Sequence, residues 1–454
     1  MFSSRVIFIV LAFFGVFTNA QRTICTFQML SNGYTCRLEN QIINNDNDMA
    51  EVGGVHRQGS GDANVVRLDH TTSVVNVFPS LIIDKFVNLQ FMNLLMVEMR
   101  VLDRFIINCQ RLFQIDISRN EIQTIPAGIF RNCDRLHRVT INHNQIRTIH
   151  DNAFMGMRAL ASLWLVNNEI TAINSNMFLH TPILQSIFLN NNNIEVITTD
   201  TLRNLQELSW LALNNNRITT WTIDILSQNP RMTRLELSGN FIQTLDVNTF
   251  SNLPNLIELS IGSLLEEIPV FEGVQRLEHF SVIGCPIKRV TAASFIHMES
   301  LNNLWLGRNQ IESVDFSMTT PRILTHLRTL SIFNNSISNL THSNFEMLSG
   351  LTSLTLGSNQ IEKLSIDTLG PVLPLISLDV NRNRIFQIDR EIIEQSPGML
   401  LLAFGNQCVS GNFLINSTFD INQLNRCFNS GMKLKVNGII LLLLAVLLAV
   451  LGKL

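Results

Sequence analysis

An asparagine recurs every 24 residues through the middle of this chain, at Asn120, Asn144, Asn168, Asn192, Asn216 and Asn240. A fixed period constrains a fold strongly, because every repeat must meet the same neighbours as the one before it. Each asparagine closes the same frame, as in Leu112-Phe-Gln-Ile115-Asp-Ile117-Ser-Arg-Asn120-Glu-Ile122 and Leu160-Ala-Ser-Leu163-Trp-Leu165-Val-Asn-Asn168-Glu-Ile170. The alternating apolar residues predict a short strand with one buried face. The asparagine stands where the chain turns away from that strand. Its amide can satisfy backbone donors and acceptors in its own coil and in the next, so stacked copies form an interior ladder. At 454 residues the chain exceeds a usual single core, a limit that stacking along one axis evades. An α/β-type repeat solenoid with a parallel sheet is the expected architecture.

The series starts weakly, with Val65-x-x-Leu68 and then Leu89-x-x-Met92-x-Leu94. A coil from Leu256 lacks its asparagine and is 21 residues long, which predicts an irregular turn. Leu277 restores the phase with Cys285 in the asparagine position, and Asn309, Asn335, Asn359 and Asn383 follow. The last coil runs near Met399 to Phe404, giving about fourteen coils over residues 65–404. In the back half of the repeat, Phe130, Phe154, Phe178, Phe250, Phe295 and Phe345 share one column, which Leu202, Leu226, Leu369 and Ile393 complete. Bulk there widens the side opposite the strands, so the strands line the concave side of a curve.

Residues 1–20 read as a secretory leader: Arg5, an apolar run from Val6 to Phe17, then Thr18-Asn19-Ala20. Secretion permits disulfides. Cys25 and Cys36 bracket a tight-turn Asn32-Gly33 and predict a stapled N-terminal cap over residues 21–64, of which 39–64 read as a mobile polar insertion. Cys408 and Cys427 predict a C-terminal cap over 405–428. Cys109 and Cys133 share a column of adjacent coils, where a disulfide and two buried thiols are both allowed. Cys285 is then the odd, buried thiol. The chain closes on an apolar run, Gly438 to Gly452, too short for the ~20 residues of a spanning helix. Asn429-Ser430-Gly431, a polar spacer and that tail match a signal for glycosylphosphatidylinositol attachment over 429–454, the tail being removed. Asn334, Asn339 and Asn416 open sequons for N-linked glycan.

The chain holds no zinc-protease, nucleophile-elbow or phosphate-loop motif, and its histidines lack metal spacing; His137 and His143 share a repeat without a third ligand. No enzyme, metal or cofactor is implied. With a net charge of −3 and no basic run, no nucleic-acid partner is implied either. What remains is the surface of outward positions among the leucines. Most are small or polar: Thr140, Ala212, Ser281, Ser331, Thr355. Against that background stand Trp164 and Phe188 in the middle position of successive coils, Trp210 two residues earlier in its frame, and Trp305 further along. Arg138 with His137 and Arg234 with Glu236 flank them. An aromatic patch with a polar rim predicts a protein-binding face.

The frame L-x-x-L-x-L-x-x-N-x-I over residues 65–404 resembles the extracellular leucine-rich repeat proteins of the 24-residue typical subtype, and Ile122-x-x-Ile125-Pro-x-x-x-Phe130 carries that subtype's continuation. The resemblance implies a curved horseshoe with a parallel concave sheet and a mostly irregular convex side. With an anchor signal at the end, the layout is similar to insect connectin and chaoptin, which are cell-surface adhesion proteins. The two-cysteine caps look like those of mosquito leucine-rich immune proteins. The chain lacks the coiled coil of the long immune members and the four-cysteine caps common in receptors. The resemblance implies a lipid-anchored recognition or adhesion module on the outer face of the plasma membrane, binding an extracellular protein or itself. The alternatives are an innate-immune scaffold that captures a microbial component and a secreted matrix component.

Overall fold

The computed structural model describes residues 23–31, 33–39, 42–43, 52–71, 73–76, 84–102, 109–262, 264–317, 324–341, 345, 348–369, 374–394, 396–415 and 424–428. The expected leader, Asn416 and the expected attachment segment 429–454 lie outside these residues. The chain divides into two compact units, residues 1–169 with 179–181, and residues 170–178 with 182–454.

The first unit opens on an antiparallel hairpin of β1 (Thr23–Leu30) and β2 (Gly33–Glu39), with Cys25 bonded to Cys36. From β2 the pairing is parallel, through β3 (Arg67–Thr71), β4 (Phe91–Asn93), β5 (Gln114–Asp116), β6 (Arg138–Thr140) and β7 (Ser162–Trp164). Each short strand buries its central residue, Met92, Ile115, Val139 and Leu163 in turn, as alternation requires. Phe130 and Phe154 fill the back of these coils, and a Cys109–Cys133 disulfide ties two of them together. Within the stretch 39–64, read from sequence as a mobile insertion, His56 packs on the cap. The His56 ring stacks on Phe27 at 3.9 Å, and its nitrogens meet the Tyr34 hydroxyl (3.3 Å) and the Asp62 carboxylate (2.9 Å). One imidazole, with partners at both nitrogens, joins this polar stretch to the cap.

The second unit runs β8 (Ser186–Phe188), β9 (Trp210–Ala212), β10 (Arg234–Glu236), β11 (Glu258–Ile261), β12 (His279–Val282), β13 (Asn303–Trp305), β14 (Thr329–Ser331), β15 (Ser353–Thr355), β16 (Ser377–Asp379) and β17 (Leu400–Leu402), all parallel. The direction reverses once, where β18 (Asn412–Leu414) pairs antiparallel with β17. Cys408–Cys427 closes that end. Opposite the strands the coils return through single turns such as Ser175–Phe178, Thr199–Leu202 and Ala292–Phe295, with Phe178, Leu202 and Phe295 buried.

The asparagine ladder works as its chemistry dictates. In the first unit, Asn120 accepts from the Val97 N–H (2.9 Å) and donates to the Leu94 and Ile117 carbonyls (both 2.9 Å). In the second, Asn216 accepts from the Ile194 N–H (3.0 Å) and donates to the Leu189 and Leu213 carbonyls (2.9 and 3.0 Å). The ladder extends one step past the sequence reading, to Asn406, which accepts from Ile385 and donates to Val380 and Ala403. The residue before the asparagine adopts a left-handed conformation in coil after coil, including Arg119 (φ 59°), His143 (54°), Asn215 (56°), Gly239 (72°) and Arg382 (53°). This is the turn that aims the amide inward.

The short coil from Leu256 is irregular, as expected. Leu264 stands where the asparagine would be and is 44% exposed. Its missing residues leave a recess of about 890 Å³ between the flanks of its neighbours, lined by Gln243, Thr244, Glu266, Glu267 and Pro286. Cys285 is buried and takes no part in a disulfide, and its own N–H donates to Asn309. No helix among the described residues is long and apolar enough to cross a membrane, and they hold no group of three metal-ligating side chains.

Candidate protein-binding face

On a parallel sheet with a register of one coil per strand, residues two apart in one strand share a face, and the same place in the next strand lies beside them. In the second unit this brings Ser186, Trp210, Arg234 and Glu258 into one row and Phe188, Ala212, Glu236 and Ser260 into the next. The Trp210 indole N–H donates to Glu236 Oε1 at 2.9 Å. Because Glu236 lies one strand over and two residues along, that bond draws the indole diagonally across Ala212. The Phe188 ring meets the indole edge-on, with centroids 4.7 Å apart. The sequence reading of Phe188 as an outward aromatic needs correction: it is 5% exposed, and Ala212 is fully buried. Phe188 underlies the patch, and Trp210 forms its surface.

Charge completes the cluster. The Arg234 guanidinium lies 4.7 Å from the Trp210 ring centroid, where the ring's negative face attracts it. It also approaches Glu258 at 3.6 Å. Glu236 takes a second hydrogen bond from the Asn214 amide. Trp210 is thereby held by one hydrogen bond, one cation and one neighbouring ring, and stays half-exposed. Trp305 forms a separate cluster on β13, stacked with His279 (6.1 Å), whose Nδ1 meets the Asn303 amide at 2.8 Å.

Trp164 and Arg138 belong to the first unit. The Trp164 indole N–H donates to Ser162 Oγ at 2.7 Å, and Arg138 is exposed on β6 in register with Ser162. The first unit also carries a row that the sequence reading missed. Arg67, held by Asp69 at 2.8 Å, lies 5.9 Å from the Phe91 ring centroid; Phe91 meets Phe113 edge-on, and Phe113 stacks flat on His137 at 5.1 Å. Phe91 and Phe113 were visible as large residues at outward places, but they fall one position apart in the frame and so form no obvious column. Asn334 and Asn339 are both exposed, as a glycan would require.

The sequence model of the leucine-rich repeat family matches residues 110–170 and 158–218. Among solved structures, TLR13 in its complex with ssRNA13 aligns with 76% of this chain and 51% of its own, at 23% identity and a TM-score of 0.64. Toll, from the Drosophila Toll–Spätzle complex, aligns with 84% of this chain and 54% of its own, at 17% identity and a TM-score of 0.64. The APL1 leucine-rich repeat domain is similar over 89% of this chain and 92% of its own, at 18% identity and a TM-score of 0.55. No curated protein sequence matches this one. Repeat frame, ladder and parallel strands agree with these likenesses: the chain folds as a leucine-rich repeat solenoid, and residues 110–218 carry repeats that the family's model matches. It spans about half the length of the TLR13 and Toll chains.

Proposed function

We propose that this chain is an extracellular recognition protein that binds a protein ligand on the open face of its strands and is held at the cell surface by a lipid anchor. The observation that carries the proposal is the state of Trp210. A half-exposed indole fixed by Glu236 and Arg234 over a buried Phe188 is an aromatic anchor already ordered for a partner, and such anchors dominate protein interfaces. Three disulfides favour an oxidising, extracellular setting. Arg234 on this face is engaged by the Glu258 carboxylate and the Trp210 ring, which favours a protein ligand over a polyanion. The anchor would be attached at Asn429, Ser430 or Gly431 after removal of the leader at Ala20, in the manner of the connectin and chaoptin layout.

The test is display of the full chain on non-adherent cells, with aggregation scored before and after phosphatidylinositol-specific phospholipase. Self-binding adhesion predicts clusters that the lipase disperses, and Trp210→Ala cells that remain surface-positive but single. Truncating one such anchor costs an interface about 2 kcal/mol, roughly thirtyfold in affinity. Clusters that survive Trp210→Ala would refute the site. Displayed wild-type cells that stay single would replace self-binding by a foreign ligand, the immune-scaffold alternative. Chain released to the medium without lipase would refute the anchor.

A further inference from the structure

Far from Trp210 in the second unit, the residues two places before the ladder asparagines form a column of their own: Phe333, Gly357, Asn381, Phe404. Backbone bonds fix the order, from Asn334 N–H to the Gly357 carbonyl, Ser358 to Asn381, and Arg382 to Phe404 (2.8, 2.7 and 2.7 Å). Two phenyl rings therefore stand three coils apart, about 14 Å at ~4.8 Å per strand. Between them Gly357 contributes no side chain. A Cβ there would lie 3.2 Å from Asp379 Oδ1, so the glycine lets that carboxylate lie along the floor. The result is a recess of about 460 Å³, within the ~300–1,000 Å³ range of ligand sites.

Its chemistry is mixed in a particular way. Asp379 Oδ1 accepts from the Asn381 N–H at 2.9 Å, and no described cation pairs with the carboxylate. Arg382 lines the same recess, exposed and without an ion-pair partner among the described residues. Phe404 is 62% exposed, and Phe333 leans over the Gly307 backbone with Arg308 on its ring. One free carboxylate and one free guanidinium in one recess favour neither a cation nor an anion, because each would gain one group and face the other. A neutral ligand with adjacent hydroxyls uses both, donating to Asp379 and accepting from Arg382. If it also has a face of C–H bonds, those bonds, slightly positive, pack on the negative faces of the phenyl rings. A pyranose ring has both properties. We infer that this recess binds a terminal neutral hexose of a glycan carried by a partner molecule. This site does not rest on the Trp210 reading.

The experiment is a printed glycan array probed with the labelled full chain, with Phe404→Ala and Asp379→Asn alongside. Asparagine keeps the oxygen that accepts from Asn381, and Phe404 is exposed, so both variants should melt like the parent. The expected result is retention on glycans that end in neutral hexose, competed by millimolar free monosaccharide and weakened at least tenfold by either variant. Trp210→Ala should leave it unchanged. Retention on no glycan, retention confined to sialylated or sulfated glycans, or retention that survives both variants would overturn the inference.

Discussion

Asn216→Ala is the sharpest perturbation of the fold. The side chain is 4% exposed and makes three short hydrogen bonds, one accepted from Ile194 and two donated to Leu189 and Leu213. Its loss does not orphan all three partners equally. The Leu189 carbonyl keeps the amide of Asn192 (3.0 Å), and the Leu213 carbonyl keeps that of Asn240 (3.0 Å), because each ladder carbonyl accepts from two coils. Only the Ile194 N–H is left with nothing. One unsatisfied buried donor costs about 1–3 kcal/mol, and two acceptors stripped of one bond each add about 0.5–1.5 kcal/mol apiece. The expected loss is about 2–6 kcal/mol. At the ladder's end, Asn406 is only half-buried, so water replaces its bonds and Asn406→Ala should cost about 1 kcal/mol. Coils open locally, so the assay is hydrogen exchange of individual amides beside urea melts. Ile194 should lose its protection first in Asn216→Ala. Equal costs at Asn216 and at Asn406, or an Ile194 amide protected as before, would refute the reasoning.

Gly239→Ala should destabilise by about 1–2 kcal/mol, since φ is +72° and the new Cβ would fall 2.1 Å from Asn215 Oδ1; urea midpoints check it. Replacing Cys109 and Cys133 together by serine opens a 24-residue loop and should cost about 3 kcal/mol, measured against the parent under non-reducing conditions. His70 should make the first unit acid-sensitive. Burial lowers its pKa below 6.5, against an opposing pull from Asp69, while its Nε2 meets the Leu95 carbonyl and its Nδ1 has no partner among the described residues. A folded histidine that resists protonation binds fewer protons than the unfolded one, so stability falls as pH drops below 6.5 and levels off below the folded pKa. His70→Gln should flatten that slope in thermal melts taken from pH 7 to pH 5.

The repeats were legible because buried positions obey one rule in every coil. Asn406 escaped for a physical reason: Met399-Leu400-Leu401-Leu402 is apolar throughout, and a strand without alternation does not announce its phase. The left-handed position was half-visible. Asn191, Asn215 and Gly239 suit it, but Arg119, Arg308 and Arg382 occupy it only because the ladder asparagine that follows must turn inward. The Cys109–Cys133 link was left open by spacing, and the geometry decides it, with Cα atoms 4.6 Å apart.

The outward face follows different rules, since no fold constraint chooses its residues. Trp210 and Phe188 look alike as large aromatics at outward places, yet one is part-exposed and the other lies buried beneath it. The difference lies in a diagonal, from Trp210 across Ala212 to Glu236, which sequence spacing cannot distinguish from the straight neighbour Arg234. On the proposed reading, that diagonal would also make the cluster a better recognition surface than a merely exposed ring. Phe241 is 49% exposed and has no ring or cation partner among the described residues, so a partner would have to order it at a cost of about 0.5–1.5 kcal/mol. Trp210 is already ordered by Glu236 and Arg234, and both contacts stay at the surface, where a partner can extend them. A face built only to cover the sheet would need Trp210's area over Ala212 and Phe188. It would not need a carboxylate and a guanidinium to hold it in place.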